Sequence, residues 1–499
     1  MDVLGRRKSQ SPAIFAGGSE VSAGSLLEKV QLMARELKEC GAEVVGLYSS
    51  NSIDWVVIDL ACQLSGVCLI PIPTFFSSRQ FSHVLHRAGV DTLIYGEPVP
   101  VEVVVDDAVK IPAMEQLKSL SVLRLKVERR AEIPAGCHKI TFTSGSTGEP
   151  KGVCLGTEQC LAVAGSLAEV VELEEPRHLC LLPLSTLLEN ICGIYMPLLL
   201  GGSSIVVPPG ELGMGGSSKL ELPRLLQALD EWQPNSIILV PQLLAALDAA
   251  MAGGWLRPES LKFVAVGGGR VSASMVARVR DAGLPVYEGY GLSETGSVVS
   301  VNYPAAHKPG TCGKVLPHVT VRAENRELIV SGNTFLGYLN EPESWNREEV
   351  ATGDLGEIDA DGFVSVVGRE KNVLISSFGR NISPEWVESE LMGSGVFANC
   401  IVMGEARPYC VALVQVLDAQ SNSSQVQVAI DSVNAGLPDY ARIERWMYLE
   451  EPLSVENDLL TANGRPRRTA IESHYAERLE SLYQLDQATI NYRRESTVS

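Results

Sequence analysis

The stretch ITFTSGSTGEPKGV, Ile140 to Val153, sets four hydroxyl residues (Thr143, Ser144, Ser146, Thr147), three glycines (Gly145, Gly148, Gly152) and Lys151 directly after a short apolar run. Glycines let a backbone close around phosphate oxygens, hydroxyl and amide groups donate to them, and a lysine supplies positive charge. The spacing is not G-x-x-x-x-G-K-[ST], because no Ser or Thr follows the lysine. A second stretch, TANGRPRR from Thr461, places Arg465, Arg467 and Arg468 just after an Asn-Gly pair in a chain of formal charge −19. Such a basic cluster fits a nucleic-acid patch, a solvated tail or a mobile piece of an active site. Sixty acidic against 41 basic residues argue against a nucleic-acid surface, which needs a basic face.

The elements that must position these residues alternate along the chain. Ser25–Cys40 puts Leu26, Val30, Met33, Ala34 and Leu37 on one helical face, and Gly41 ends it before the apolar strand EVVGLYS. Helices follow near 54–64 and 78–87, with strands at 67–72 and 92–95. HLCLLP, SSIVVP, SIILVP and LKFVAV are further short apolar runs. Buried strands alternating with helices indicate a parallel α/β architecture, whose ligands sit at the carboxyl ends of strands. GEIDADGFVSVVGREKN then reads as a hairpin with an Asp-Gly turn and a charged joint. Beyond it come a helix at PEWVESELM, a strand region around 400–416 and a final helix to about residue 482. A domain boundary is expected at Gly368–Asn372, dividing the chain into 1–368 and 369–499. The Gly/Ser-rich segment 210–219 reads as a loop, and YRRESTVS as a disordered end.

A chain of 499 residues exceeds one core, and 45% hydrophobic with 20% charged residues is ordinary for a globular protein. Its eleven cysteines form no C-x-x-C and fit a reducing cytoplasm. The N-terminus lacks the apolar core of a signal peptide, and LLENICGIYMPLLL is too short and polar to span a bilayer. At most a peripheral membrane contact is expected. His83 and His86 fall near one helical face without a third ligand at matching spacing, so no metal is expected there.

TSGSTGEPKG resembles the phosphate loop of the adenylate-forming (ANL) superfamily, which contains acyl-CoA synthetases, peptide-synthetase adenylation domains and luciferases. YEGYGLSETG (287–296), ATGDLGEID and GREKNVLISSFGRNISPEWVE resemble, in the same order, its adenine and magnesium segment, its ribose-binding aspartate motif and its hinge. The resemblance implies a large N-terminal domain of parallel α/β sheets with a β subdomain, here shortened between Glu294 and Asp354. A small mobile α+β C-terminal domain follows, turning about Asn372. It implies that Lys151 and Thr143, Ser144, Gly145, Ser146, Thr147 and Gly148 hold the β- and γ-phosphates of ATP. Tyr290 and Gly291 would face adenine, Ser293 the α-phosphate, Glu294 Mg²⁺, and Asp354 and Arg369 the ribose. Gly379 would lie where the coenzyme A thiol enters. Taken singly, Tyr290 is a core residue and Asp354 a turn residue; the shared context gives them their roles.

On the acid side, LPLSTLLENICG resembles LPL-x-H-x-x-E of long-chain acyl-CoA synthetases, with Glu189 at the glutamate and Thr186 at the gate. AVGGGRVS, including Gly269, resembles the turn that floors the acyl pocket. The implied reaction is ATP-dependent activation of a carboxylic acid, a medium- or long-chain fatty acid ahead of an aryl acid, followed by transfer to coenzyme A. Two alternatives are an acyl-AMP ligase serving a carrier protein or an amine, and a scaffold that binds nucleotide without catalysis. The discriminating position is Arg465, where the family carries a lysine that bridges carboxylate and phosphate during adenylation.

Overall fold

A computed structural model describes residues 7–99, 109–110, 117, 120–127, 129–143, 150–215, 219–378, 380–418, 420–461 and 464–484. Two large mixed sheets dominate its first 340 residues, one of nine strands and one of eight. The eight-stranded sheet runs parallel at its centre, where Val44–Tyr48 lies between Cys68–Pro71 and Thr92–Tyr95. Cys137–Thr143 extends it in parallel and turns back antiparallel into Lys151–Gly156. In the nine-stranded sheet Arg177–Leu179, Ser236–Leu239, Phe263–Val266 and Val286–Tyr290 follow one another in parallel.

The helices form where capping and apolar spacing agree. Ser22 caps Ala23–Glu39 by accepting from Ser25 N, and Leu26, Val30, Met33, Ala34 and Leu37 are its buried face. Each large apolar side chain so buried contributes roughly 1.5–3 kcal/mol. Ser52 caps Ile53–Ser65, which ends at Gly66 with φ +75°. Ser77 and Gln80 form a capping box on Ser78–Ala88, closed by Gly89 at φ +61°. One hydrophobic cluster draws residues from both sheets and from these helices, including Val45, Trp55, Leu155, Val163, Leu179 and Val264.

The helical run from Leu187 to Leu199 contains a π-helical turn at Ile191–Tyr195. Gly193 is crowded within it: a Cβ there would lie 2.5 Å from Glu189 Oε1, and Ser204 Oγ donates to Gly193 O at 2.6 Å. Below it Lys139 Nζ meets Asp59 Oδ1 at 2.7 Å, fully buried, with Tyr195 hydroxyl donating to Asp59 Oδ2 at 2.8 Å and Asn190 Nδ2 at 2.9 Å.

A four-stranded antiparallel sheet follows, comprising Val319–Glu324, Glu327–Gly332, Glu349–Ile358 and Val364–Arg369. Its last pair is the expected Asp-Gly hairpin, with Gly362 at φ +83°. The C-terminal part packs helix Pro384–Gly393 on the strands Phe397–Met403, Cys410–Val416 and Ile443–Tyr448. Two expectations change. In the Gly/Ser-rich segment, Met214–Gly215 pairs antiparallel with Lys219–Leu220, so these residues are strands rather than loop. The final helix is two, Arg468–His474 and Ala476–Gln484. The expected disordered end lies outside the described residues. Among the described residues no helix is long and apolar enough to cross a membrane.

Candidate active site

The expected phosphate-loop residues Ser144, Gly145, Ser146, Thr147 and Gly148 lie outside the described residues, but both ends of their loop are placed. Thr143 ends one strand and Lys151 begins the next, and the two face each other as an antiparallel pair. His83 Nε2 lies 3.1 Å from Pro150 O, which gives this helical histidine an anchoring role beside the lysine. Lys151 Nζ sits 3.2 Å from Glu341 Oε1 and 4.9 Å from the centre of the Tyr338 ring. The Tyr338 hydroxyl in turn donates to Glu294 Oε1 at 2.8 Å. Burial, and then the charge of Glu294, raise the Tyr338 phenol above its ordinary value, so it donates as a neutral hydroxyl.

Strand Val286–Tyr290 brings Tyr290 to the four-stranded sheet, where its hydroxyl donates to Asp354 Oδ2 at 2.7 Å. Strand register sets Asp354 directly opposite Arg369, whose Nε lies 2.8 Å from Asp354 Oδ1. Arg369 Nη1 also donates to Thr352 O at 2.9 Å, and Thr352 Oγ1 accepts from Asp354 N at 3.0 Å. Burial raises the Asp354 carboxyl, against the opposing pull of Arg369, the Tyr290 hydroxyl and Arg465. Gly291 has a backbone reason of its own, since a Cβ there would lie 1.9 Å from Ser297 O. Ser293 and Glu294 follow in a short 3₁₀ turn, Ser293–Thr295. The segment Tyr290–Glu294 therefore joins the Asp354 cluster to the Lys151 cluster.

The third component comes from the other end of the chain. Strand Phe263–Val266 runs into Gly267, Gly268 and Gly269, with Gly268 at φ +77°. Arg465 Nη2 donates to the Gly268 carbonyl at 3.0 Å. Its loop is closed on itself: Thr461 N donates to Arg465 O at 2.7 Å, Arg465 N to Thr461 Oγ1 at 3.0 Å, and Gly464 has φ +72°. The neighbouring arginines do other work. Arg467 pairs with Asp458 at 2.5 Å, and Arg468 holds both oxygens of Glu388 on helix Pro384–Gly393, at 2.6 and 2.5 Å. That helix docks on the N-terminal part through Arg278 Nη2 to Gly393 O at 3.0 Å and Ser272 Oγ to Glu390 Oε2 at 3.1 Å. Asn372, the expected hinge, donates to Glu385 Oε1 at 2.5 Å. Gly379 lies outside the described residues.

Glu189 is fully buried, with Oε1 2.8 Å from His178 Nε2 and Oε2 accepting from Leu182 N at 3.0 Å. It braces the acid-side segment from inside the core. Cys180 offers a third ligand atom beside this pair, but its thiol donates to Gly193 O at 3.8 Å and His178 Nδ1 lies 3.0 Å from Ser236 Oγ. The group is a satisfied hydrogen-bond network.

Tyr338, Glu341 and Thr352 escaped sequence reasoning. Thr352 sits two residues before Asp354 on a strand, a period that signals the same face. Tyr338 and Glu341 carry no spacing signal, because only the pairing of Gly337–Tyr338 with Lys151–Gly156 brings them in.

The family model for AMP-binding enzymes matches residues 3–337, and that for the AMP-binding enzyme C-terminal domain matches 371–487. The chain is 23% identical to the long-chain-fatty-acid–CoA ligase FadD15 of Mycobacterium bovis, covering 93% of this chain and 92% of that one. It is 28% identical to a feruloyl-CoA synthase of an Amycolatopsis species, over 81% and 85% of the two chains. Its fold matches the crystal structure of the anthranilate CoA ligase AuaEII, in complex with anthranoyl-AMP, with TM-score 0.79 at 19% identity over 95% and 96% of the chains. With the family model covering most of the chain, this protein belongs to the AMP-binding enzyme family, within the adenylate-forming superfamily.

Proposed function

We propose that the protein activates a fatty acid with ATP to acyl-AMP and then passes the acyl group to coenzyme A. The observation that carries this reading is the reach of Arg465 from the C-terminal loop to the Gly268 carbonyl, beside Tyr290, Asp354 and Arg369. In the first step a carboxylate oxygen attacks the α-phosphorus and pyrophosphate leaves with the bonding electrons. Bringing a carboxylate to a polyphosphate needs cations on both sides, and Lys151 and Arg465 supply them from opposite ends of the chain. In the second step the thiol sulfur attacks the acyl carbonyl, losing its proton, and AMP leaves.

Asp354 and Arg369 hold the ribose, Tyr290 and Gly291 adenine, and Ser293 the α-phosphate. The Glu294 carboxylate, a hard oxygen donor already oriented by Tyr338, fits Mg²⁺, which when bound offsets phosphate charge. Residues 1–368 form the domain that holds ATP and acid, and 369–499 turn about Asn372 so that the segment around Gly379 meets coenzyme A. Eleven free cysteines support a reducing, cytoplasmic setting for the reaction.

The resemblance at LPLSTLLENICG and the long-chain relative favour a fatty acid, while the feruloyl and anthranilate enzymes keep aryl acids as the comparison class. A scaffold reading has one observation behind it, the arginine at the lysine position. The test is pyrophosphate release over a panel of fatty and aryl acids, with and without coenzyme A. Acid-dependent release, strongest with fatty acids, and thioester formation with coenzyme A are expected. No release with any acid would establish the scaffold reading instead.

A further inference from the structure

Lys151 is held by the protein's own carboxylate. Its ammonium lies 3.2 Å from Glu341 Oε1 and 3.4 Å from Oε2, over the Tyr338 ring. The Glu341 main chain is fixed by its turn rather than by the lysine. Glu341 N donates to Tyr338 O at 3.2 Å, and Ser344 donates to Glu341 O from both N and Oγ, at 2.8 and 2.6 Å. Ser344 Oγ also accepts from Tyr338 N at 2.8 Å, and Trp345 Nε1 donates to Tyr338 O at 2.9 Å. Asn340 ties the turn to Glu132 N and Arg87 O, each at 2.8 Å. The main chain that carries the carboxylate is therefore held whether or not Lys151 is paired with it. The pair is partly exposed, 45% for the lysine side chain and 27% for the glutamate, so water screens it and breaking it is inexpensive. A buried pair would resist separation.

We propose that Glu341 is an internal competitor for Lys151: it holds the ammonium in the nucleotide-free protein, yields it to the β- and γ-phosphates of a nucleoside triphosphate, and reclaims it as pyrophosphate leaves. Glu341 is thus a positioning residue that acts through Lys151 on product release, and the assignment rests on the phosphate-binding role of Lys151 proposed above. The same turn presents the Tyr338 hydroxyl to Glu294, so the lysine and the proposed Mg²⁺ ligand are held ready by one structural unit.

Calorimetric titration of ATP, pyrophosphate and AMP into the wild type, Glu341→Gln and Glu341→Ala, each with and without Lys151→Ala, tests the assignment. Removing the competitor should tighten ATP and pyrophosphate by roughly two- to fivefold, the range of a screened ion pair. AMP, which lacks the β- and γ-phosphates, should be unchanged, and the gain should vanish in the Lys151→Ala background. Thermal melting checks that both Glu341 variants remain folded. Unchanged affinity for ATP and pyrophosphate, an equal change for AMP, or persistence of the gain without Lys151 overturns the role of Glu341 while leaving the enzymatic reading intact. A wild type that binds none of the three ligands overturns both.

Discussion

The Arg465 guanidinium donates to a main-chain carbonyl, and its charge also acts on Asp354. Arginine keeps the charge of the family's lysine, but its planar fork is not a compact ammonium. Arg465→Ala should lower acid-dependent pyrophosphate release by about 10²–10³-fold, the scale of a lost oxyanion donor, with a smaller effect on thioester formation from preformed acyl-AMP. Equal losses in the two half-reactions would remove Arg465 from adenylation. Arg465→Lys separates charge from shape: faster release means that the arginine handicaps the step. A second residue-scale outcome concerns Glu288, whose carboxyl burial pushes up to about 7 against the pull of Arg270 and Arg280. Folding raises its proton affinity, so stability from this group is greatest below the ordinary glutamate value and is lost as pH rises through about 7. Glu288→Gln should therefore flatten the decline in melting temperature between about pH 4.5 and 7. Lys151, Asp354 and Arg465 were legible in the sequence because their motifs are local. Glu341 was not, because it meets Lys151 only through strand pairing.

Among elements, docking of helix Pro384–Gly393 on Ala273–Asp281 fixes where the Arg465 loop stands. A Cβ on Gly393 would come within 2.5 Å of Ser272 Cβ, so this contact requires glycine. Gly393→Val should slow pyrophosphate release several-fold and spare transfer from preformed acyl-AMP, as half-reaction assays would read. Equal slowing of both would mean that the docked arrangement is not specific to adenylation. Helices with periodic apolar faces and serine caps, such as Ala23–Glu39 and Ile53–Ser65, were readable within a few residues. The π turn at Ile191–Tyr195 was not, since the Gly193 carbonyl within it is bonded by Ser204 from a separate strand. The pairing of Met214–Gly215 with Lys219–Leu220 was missed for another reason: the composition there is that of a loop.

At the scale of the molecule, the Asp59–Lys139 pair ties the helix Ile53–Ser65 to the strand that ends at Thr143, and so to the entrance of the phosphate loop. Lys139→Met leaves Asp59 buried without its countercharge and should destabilise the fold by about 3–5 kcal/mol. Asp59→Leu combined with Lys139→Met should recover most of that loss in chemical denaturation; failure to recover would mean that Asn190 and Tyr195 need the ions. The parallel α/β plan was legible because fully buried strands are continuously apolar. This network was not, because a lysine inside a strand reads as an exposed residue. The Arg468–Glu388 clamp has a mechanical consequence. By fastening the Arg465 loop to the helix behind it, the clamp makes the guanidinium travel with that helix in the proposed turn about Asn372. If that turn takes place, a distance probe spanning the Arg465 loop and the glycine turn should change between the two proposed half-reactions; a constant distance would argue against the turn.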